Sequence, residues 1–560
     1  MPNSLNPLLQ THFDTALEHP NGIKKLRELI LTLAMQGKLV PQDPNDQPAS
    51  ELLKEIQAEK ARLVAEGKIK KSETLPAVKE EEKLFVIPKG WEWVRLGDST
   101  HVIMGQSPDS RTYNQIAVGL PFYQGKSDYG KLYPTPKVWC SSPVKIAPKN
   151  SILISVRAPI GPTNLCQEDS CIGRGLSAII PLAECSLFFY LYLLRKFETK
   201  LASYGTGSTF QAITQKVLIN FLIPLPPLAE QKRIVEKIDE LFLLCDELEI
   251  LKKSKNSKRK DLHQSVMTQM LEADSQESFR KHFQFLTSHF HELYSVKENV
   301  KELRKAVLQL AVMGKLIPQD PNDQPASELL KEIQSEKARL VAEGKVKKSE
   351  ALPAVKEEEK PFVIPKGWEW VRLGEVLQKF GAGSTPLGGK SVYSQDGIIF
   401  LRSQNIWNDG LYLEDVARIS KEIHERMKGT RVLGNDLLLN ITGASIGRSS
   451  VYPENFEEAN VSQHVAILRT YNMRIVSFLH KLITSDFFQS LVFKEQVGVS
   501  REGLSMAKLS KFPIPLPPLA EQKRIVEKVD QLLALCDELE ERIGKAEEKR
   551  GEILEGMVRG

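Results

Sequence analysis

Cysteine is scarce in this sequence: six in 560 residues, none in a CxxC pair. That argues against a disulfide scaffold and a clustered zinc site, and it leaves the cytosol as the expected compartment. No apolar run reaches the ~18 residues that span a bilayer. The opening MPNSLNPLLQTHFD has neither the basic nor the apolar region of a secretory signal. No one sign of charge dominates, with 76 Lys and Arg against 71 Asp and Glu and a formal net charge of +5. Such a balance permits nucleic-acid binding without announcing it. There is no HExxH, no GxSxG, and no GxGxxG after a strand. GAGSTPLGGKS invites a phosphate-loop reading, but Gly383 and Gly389 enclose five residues where a Walker motif needs four. A Gly-rich turn is expected there instead. Cys166 and Cys171 have no His or Cys pair to complete a metal site and are expected as core or loop thiols.

What the sequence does have is repetition. Residues 31–97 recur as 308–374 at a constant shift of 277, with 59 of 67 positions identical. IPLPPLAEQKRIVEKIDELFLLCDELE, residues 223–249, recurs at 514–540, shifted by 291. The order is therefore block A, insert, block B, twice over, with the second insert 14 residues longer. Solenoid repeats run ~20–50 residues, so this is a duplication on the scale of domains. Two near-identical frames hold two different inserts.

The frames have helical periodicity. Ile234, Ile238, Leu241, Cys245 and Leu248 are spaced 4, 3, 4, 3, and Ile525, Val529, Leu532, Cys536, Leu539 and Ile543 repeat the pattern. That is a coiled-coil seam. Gly and Pro are absent from 229 to 272, which allows one helix of ~40 residues, or ~60 Å. A twin is expected from Ala520 onward, weakened by Gly544 and Gly551. The seam cysteines are expected as small buried apolar groups. In block A a helix is expected to stop near Gly37, and a second to start with Ser50 as its N-cap. KKSKNSKRK, residues 252–260, could face solvent or phosphates.

The inserts open with turns, continue as short strands and end in a helix, which reads as two α/β domains of one fold. The expected division is 1–97 (helical block and linker), 98–222 (first insert), 223–374 (central helices), 375–513 (second insert) and 514–560 (C-terminal helix). Three polar loops correspond between the inserts. The first offers Gln124, Lys126 and Ser127, matched by Arg402, Gln404 and Asn405. The second offers Arg157, matched by Asn440, Thr442 and Ser445. The third offers Thr206, Ser208, Thr209 and Gln211, matched by Ser500 and Arg501. Arg pairs with guanine, and Asn or Gln with adenine, in the major groove. His464 reads either as a base contact or as a structural histidine. The inserts carry net charges of +5 (98–221) and +2 (375–513), so the basic excess lies where a phosphate surface would need it.

PLPPLAEQKRIVEKID, GKLVPQDPNDQPASELLKEI and IPKGWEWVRLG resemble the specificity subunit of type I restriction–modification enzymes, in the subgroup whose duplicated block precedes each insert. The resemblance covers nearly the whole chain. It implies a non-catalytic subunit with two target recognition domains, each reading one half of a bipartite, asymmetric DNA sequence. It implies long antiparallel helices that set the half-site spacing. Two methyltransferase subunits and two restriction subunits are the implied partners. S-adenosylmethionine, ATP and magnesium are expected on those partners, and no cofactor is expected in this chain. The competing readings are a stand-alone two-module DNA-binding regulator, a protein-interaction scaffold and, least supported, an enzyme with a cryptic nuclease site.

Overall fold

The structure, a computed structural model, describes residues 18–71, 74–205, 212–273, 275–348, 350–495 and 503–559. The chain divides into two compact units, one of Met1–Lys255 with Ala546–Gly560, the other of Asn256–Lys545. Among the described residues no helix is long and apolar enough to cross a membrane.

The long helices form as expected. The first spacer helix spans Leu228–Glu272 and the second Leu519–Arg559. Each begins after a Pro-Pro pair, which ends the preceding strand and fixes the backbone for the first turn. The second runs on through both Gly544 and Gly551, the glycines expected to weaken its tail. Their cost of ~1 kcal/mol each relative to Ala is overridden by tertiary contacts. A Cβ at Gly544 would lie 3.4 Å from Lys297 Nζ, and one at Gly551 3.4 Å from His19 Nε2.

In the first unit the apolar seam meets the block A helix Gly22–Met35 and the insert helix Leu187–Lys196. Ile30, Leu31, Ala34 and Met35 share one core with Leu193, Ile234, Ile238 and Cys245. Tyr192 donates a hydrogen bond to Asp239, and its ring meets Phe242 edge-on at 5.7 Å. Arg27 pairs with Asp246 and Glu249. The end of the second spacer helix completes this unit, with Leu554 on Leu29 and Arg550 paired to Glu18 at 2.6 Å. The second unit repeats the plan. Val307 and Ala311 of helix Lys297–Val312 join Ile525, Val529 and the insert residue Phe478. Val266, Met267 and Met270, from the end of the first spacer helix, join Leu310, Cys536 and Ile543. The seam therefore packs on duplicated short helices and insert helices, a broader partner than a simple two-helix coil. Cys166, Cys171, Cys245 and Cys536 are free and buried, and burial pushes their thiols up.

Two other expectations need correction. Helix Ala49–Ala65 starts two residues earlier than an N-cap at Ser50 requires, with Pro48 in that place, so Ser50 lies in the first turn. Lys252 is half-buried and donates to His19 O, and Lys253 pairs with Glu249, so part of the basic run belongs to the frame.

Each insert holds a four-stranded and a five-stranded sheet in one shared topology, and the second adds the hairpin Ile406–Trp407 with Gly410–Leu411. In the first, Thr100–Met104, Leu176–Pro181, Ile152–Ser155 and Thr163–Leu165 lie in that order, all antiparallel. Beside them run Tyr113–Asn114, Trp139–Cys140, Leu120–Tyr123, Ser170–Ile172 and Ile146–Ala147. The second insert has Leu377–Ala382, Val465–Thr470, Leu437–Asn440 and Ser449–Val451 in one sheet. Its other sheet holds Tyr393–Ser394, Ala417–Ile419, Ile398–Leu401, Ala459–Val461 and Arg431–Val432. Each five-stranded sheet contains a single parallel pair, Leu120–Tyr123 with Ser170–Ile172 and Ile398–Leu401 with Ala459–Val461. Much of the extra length of the second insert lies at 420–430, where helix Lys421–Arg426 stands; only 141–145 fill that place in the first.

A two-stranded ribbon closes the base of each insert. Glu92–Arg95 pairs with Leu222–Leu225, and Glu369–Arg372 with Pro513–Leu516. Entry and exit therefore lie side by side, so an insert can change without moving its frame. The prolines of the exit strands suit a ribbon with no neighbour beyond it. Arg95 locks the ribbon through both oxygens of Glu82 and the carbonyls of Pro76 and Asn220. Arg372 does the same with Glu359, Pro353 and Lys511, and it pulls the Glu359 carboxyl down to about 2.

Candidate nucleic-acid interface

In each insert the parallel strands end beside the end of one strand of the four-stranded sheet. Leu401, Val461 and Asn440 are the terminal residues in the second insert, and Tyr123, Ile172 and Ser155 in the first. Backbone bonds hold the loops beyond these ends. Ser462 N donates to Leu401 O at 2.9 Å, Ile441 N to His464 O at 3.0 Å, Gly383 N to Val465 O at 2.9 Å and Leu504 N to Ile441 O at 2.7 Å. In the first insert the same bonds run from Gly173 N to Tyr123 O at 2.8 Å, Val156 N to Gly175 O at 2.9 Å, Gly105 N to Leu176 O at 2.9 Å and Ile213 N to Val156 O at 2.9 Å. The glycine of the rejected phosphate loop has its reason here. A Cβ on Gly383 would come within 2.1 Å of Val461 O, and one on Gly105 within 2.2 Å of Gly173 O.

On this common backbone the side chains differ. Gln124 stands where the second insert has Arg402, Ser155 where it has Asn440, and Arg157 where it has Thr442. Gly173 and Gly175 stand where it has Ser462 and His464. A Cβ at Gly175 would lie 2.3 Å from Gln124 O, so the first insert packs its loops more closely there.

Gln124, Lys126, Ser127 and Arg157 are exposed, with the loop pinned by Gln124 N donating to Asp128 Oδ2 at 2.7 Å. In the second insert Gln404 is exposed, and its carbonyl accepts from Trp407 Nε1 at 2.9 Å. Arg402 is half-buried, with no ion pair and no hydrogen bond from its side chain to a described residue. Thr442 and Ser445 are half-buried at the rim. Asn405 and Asn440, expected among the base readers, are buried instead. Asn405 is 1% exposed; it accepts from Arg402 N at 3.0 Å and donates to Tyr412 O at 2.8 Å. Asn440 is fully buried and donates to Ser403 O at 2.8 Å. Both carboxamides shape the loops, as Asx side chains do when a backbone group is nearer than solvent. Thr206, Ser208, Thr209, Gln211, Ser500 and Arg501 lie outside the described residues.

Other residues at this edge escaped the sequence reading. Arg174 and Gln463 are exposed in the loops that follow the second parallel strands. Arg448 lies over the Trp407 ring, 3.7 Å from its centroid, and Tyr412 packs on that ring at 5.3 Å. The signal for Arg174 was available: it follows the strand that aligns with the one before Gln463. Nothing in the sequence ties Arg448 to Trp407, because their contact crosses two strands.

Two α/β domains on a duplicated helical frame, with one backbone edge and unlike side chains upon it, define a two-module recognition protein. Residues 88–256 and 365–547 match the type I restriction modification DNA specificity domain, and the chain belongs to that family. It is 34% identical over 564 residues to the specificity subunit of the type I restriction enzyme EcoAI of Escherichia coli, covering 96% of this chain and 93% of that one. It is 31% identical over 571 residues to the EcoEI specificity subunit of the same species, with the same coverage. Among solved structures, the HsdS subunit from Thermoanaerobacter tengcongensis matches at 42% identity over 36% of this chain and 47% of its own, with a TM-score of 0.28.

Proposed function

We propose that this chain selects the DNA site of a type I restriction–modification complex without catalysing the reaction itself. Each insert reads one half of a bipartite, asymmetric target through the loops at its strand ends. The duplicated frame docks two methyltransferase subunits by equivalent surfaces, and two restriction subunits complete the assembly. S-adenosylmethionine, ATP and magnesium belong to those partners, and the complex works in the cytoplasm. The observation that carries this reading is the matched edge: the same backbone hydrogen bonds in both inserts, with different side chains at each equivalent position. A protein with one partner repeated and two unlike half-sites needs both features. The basic excess of the inserts supports contact with phosphates.

The test exchanges residues 98–221 for those of a family member with another target, then maps methylated adenines across the genome. One half of the modified motif should change while the other half and the gap stay. An unchanged motif, or a change in both halves together, would count against the proposal.

A further inference from the structure

We propose that His464 is a specificity-determining residue of the second insert and that Thr442 is its positioning residue. The proposal rests on the reading that the inserts recognise DNA. His464 is exposed at the strand-end edge, and its own carbonyl is held by Ile441 N. Its Nδ1 lies 2.6 Å from Thr442 Oγ1. A bond at one ring nitrogen fixes the tautomer and turns the other outward. Where Thr442 donates to Nδ1, Nε2 carries the proton and meets an acceptor; where Nδ1 donates to Thr442, Nε2 accepts from adenine N6 or cytosine N4. In the major groove the acceptors are purine N7, guanine O6 and thymine O4. Arg402, whose guanidinium has no carboxylate partner among the described residues, stands at the end of the neighbouring strand and suits guanine.

A second observation sets this place apart. Arg402 Nε, Asn440 Oδ1 and Ser462 Oγ are buried there without hydrogen-bond partners among the described residues. Buried polar atoms ordinarily have one, so these strand ends hold three polar atoms for a water or a ligand group to satisfy. In the first insert these positions hold Gln124, Ser155 and Gly173, and Ser155 Oγ is engaged by Arg157 O at 3.0 Å. The open set therefore distinguishes the second insert from the first, as a determinant of its own half-site would.

The experiment uses the full chain assembled with its methyltransferase subunits. Binding is measured to duplexes carrying the mapped motif and every single base-pair substitution of it. His464→Ala should weaken binding to the intact motif roughly 5- to 150-fold and erase discrimination at one position in one half. Discrimination in the other half should persist, which also reports that the variant is folded. Thr442→Val should lose discrimination at that same position, and Thr442→Ser should restore it. Undiminished discrimination by His464→Ala, or an equal loss on every duplex, overturns the role of His464. A Thr442→Ser variant that behaves like Thr442→Val overturns the positioning role. A wild-type complex with no preference among the duplexes would instead overturn the DNA-reading function beneath both.

Discussion

Glu230 sits where three repeated phrases meet. Trp91 Nε1 donates to one carboxylate oxygen at 2.8 Å and Gln42 Nε2 to the other at 2.7 Å, with the side chain sealed from solvent. Glu521 receives Trp368 and Gln319 at 2.9 and 3.1 Å. Arg233 on Asp46 and Arg524 on Asp323 brace each joint one turn further along. The block A and block B words are thus the two halves of one lock, and a change in one word strands polar atoms in the other. Burial pushes both carboxyls up, against the pull of their donors. Replacing Glu230 by Ala leaves the buried Trp91 donor unpaired, while Gln42 keeps its bond to Gly37 O, and the loss costs about 1–3 kcal/mol. Glu521→Ala should cost the same within error, because its surroundings are the same residues. Chemical denaturation of each variant, followed by Trp fluorescence, checks both values. Asn405 and Asn440 show what is hidden at this scale. The sequence offers a carboxamide in a polar loop, but whether it turns to a base or to a carbonyl depends on loop torsions that the residue type does not set.

At the scale of elements, helix ends and helix neighbours obey different rules. The stop at Gly37 was legible, because the residue after a helix favours glycine in the left-handed region. Gly37 and Gly314 have φ of 67° and 68°, and a Cβ on them would fall 2.3 and 2.4 Å from Cγ of Pro88 and Pro365. Alanine at either position should therefore destabilise its unit by more than about 1 kcal/mol, measured as a lowered denaturant midpoint with unchanged slope. The second spacer helix was legible, but the contacts of its tail beyond Gly544, such as Leu554 on Leu29, were not, since they come from distant sequence. Neither was the environment of His263, which is buried on the first spacer helix with Nδ1 2.8 Å from the Tyr294 hydroxyl. Burial pushes this histidine below its usual 6.5. The unfolded chain then binds the proton more readily, so the contribution of the site is present above pH ~6.5 and is lost as pH falls through it. The second unit should melt at lower temperature near pH 5.5 than near pH 7.5, and His263→Gln should shrink that difference. An unchanged pH dependence in the variant would place the titrating group elsewhere.

For the whole molecule, duplication with divergence explains why the fold was largely readable and the site only partly so. Frame residues such as Trp91, Glu230 and Ile234 repeat with their partners, so comparing the two copies exposes them. Insert residues such as Arg402 and His464 do not repeat; loop order already sets Arg402 against Gln124, whereas only the strand-end backbone aligns His464 with Gly175. On the proposed function, the gap between the two half-sites follows the length of the frame helices. Each residue added to a helix lengthens it by about 1.5 Å and rotates the downstream turns by about 100°, so four residues restore nearly the same face about 6 Å further on. Inserting four helix-forming residues after Ser254, and four after Ala546, should preserve the apolar faces on either side. Methylation mapping should then recover both original half-sites separated by a longer gap, whereas the same half-sites at the original gap would show that something other than helix length sets the spacing. A single insertion lengthens one helix of the frame and leaves the other as it was. It should therefore strain the frame and reduce methylation at every gap, which separates a ruler made of two matched helices from one made of either alone.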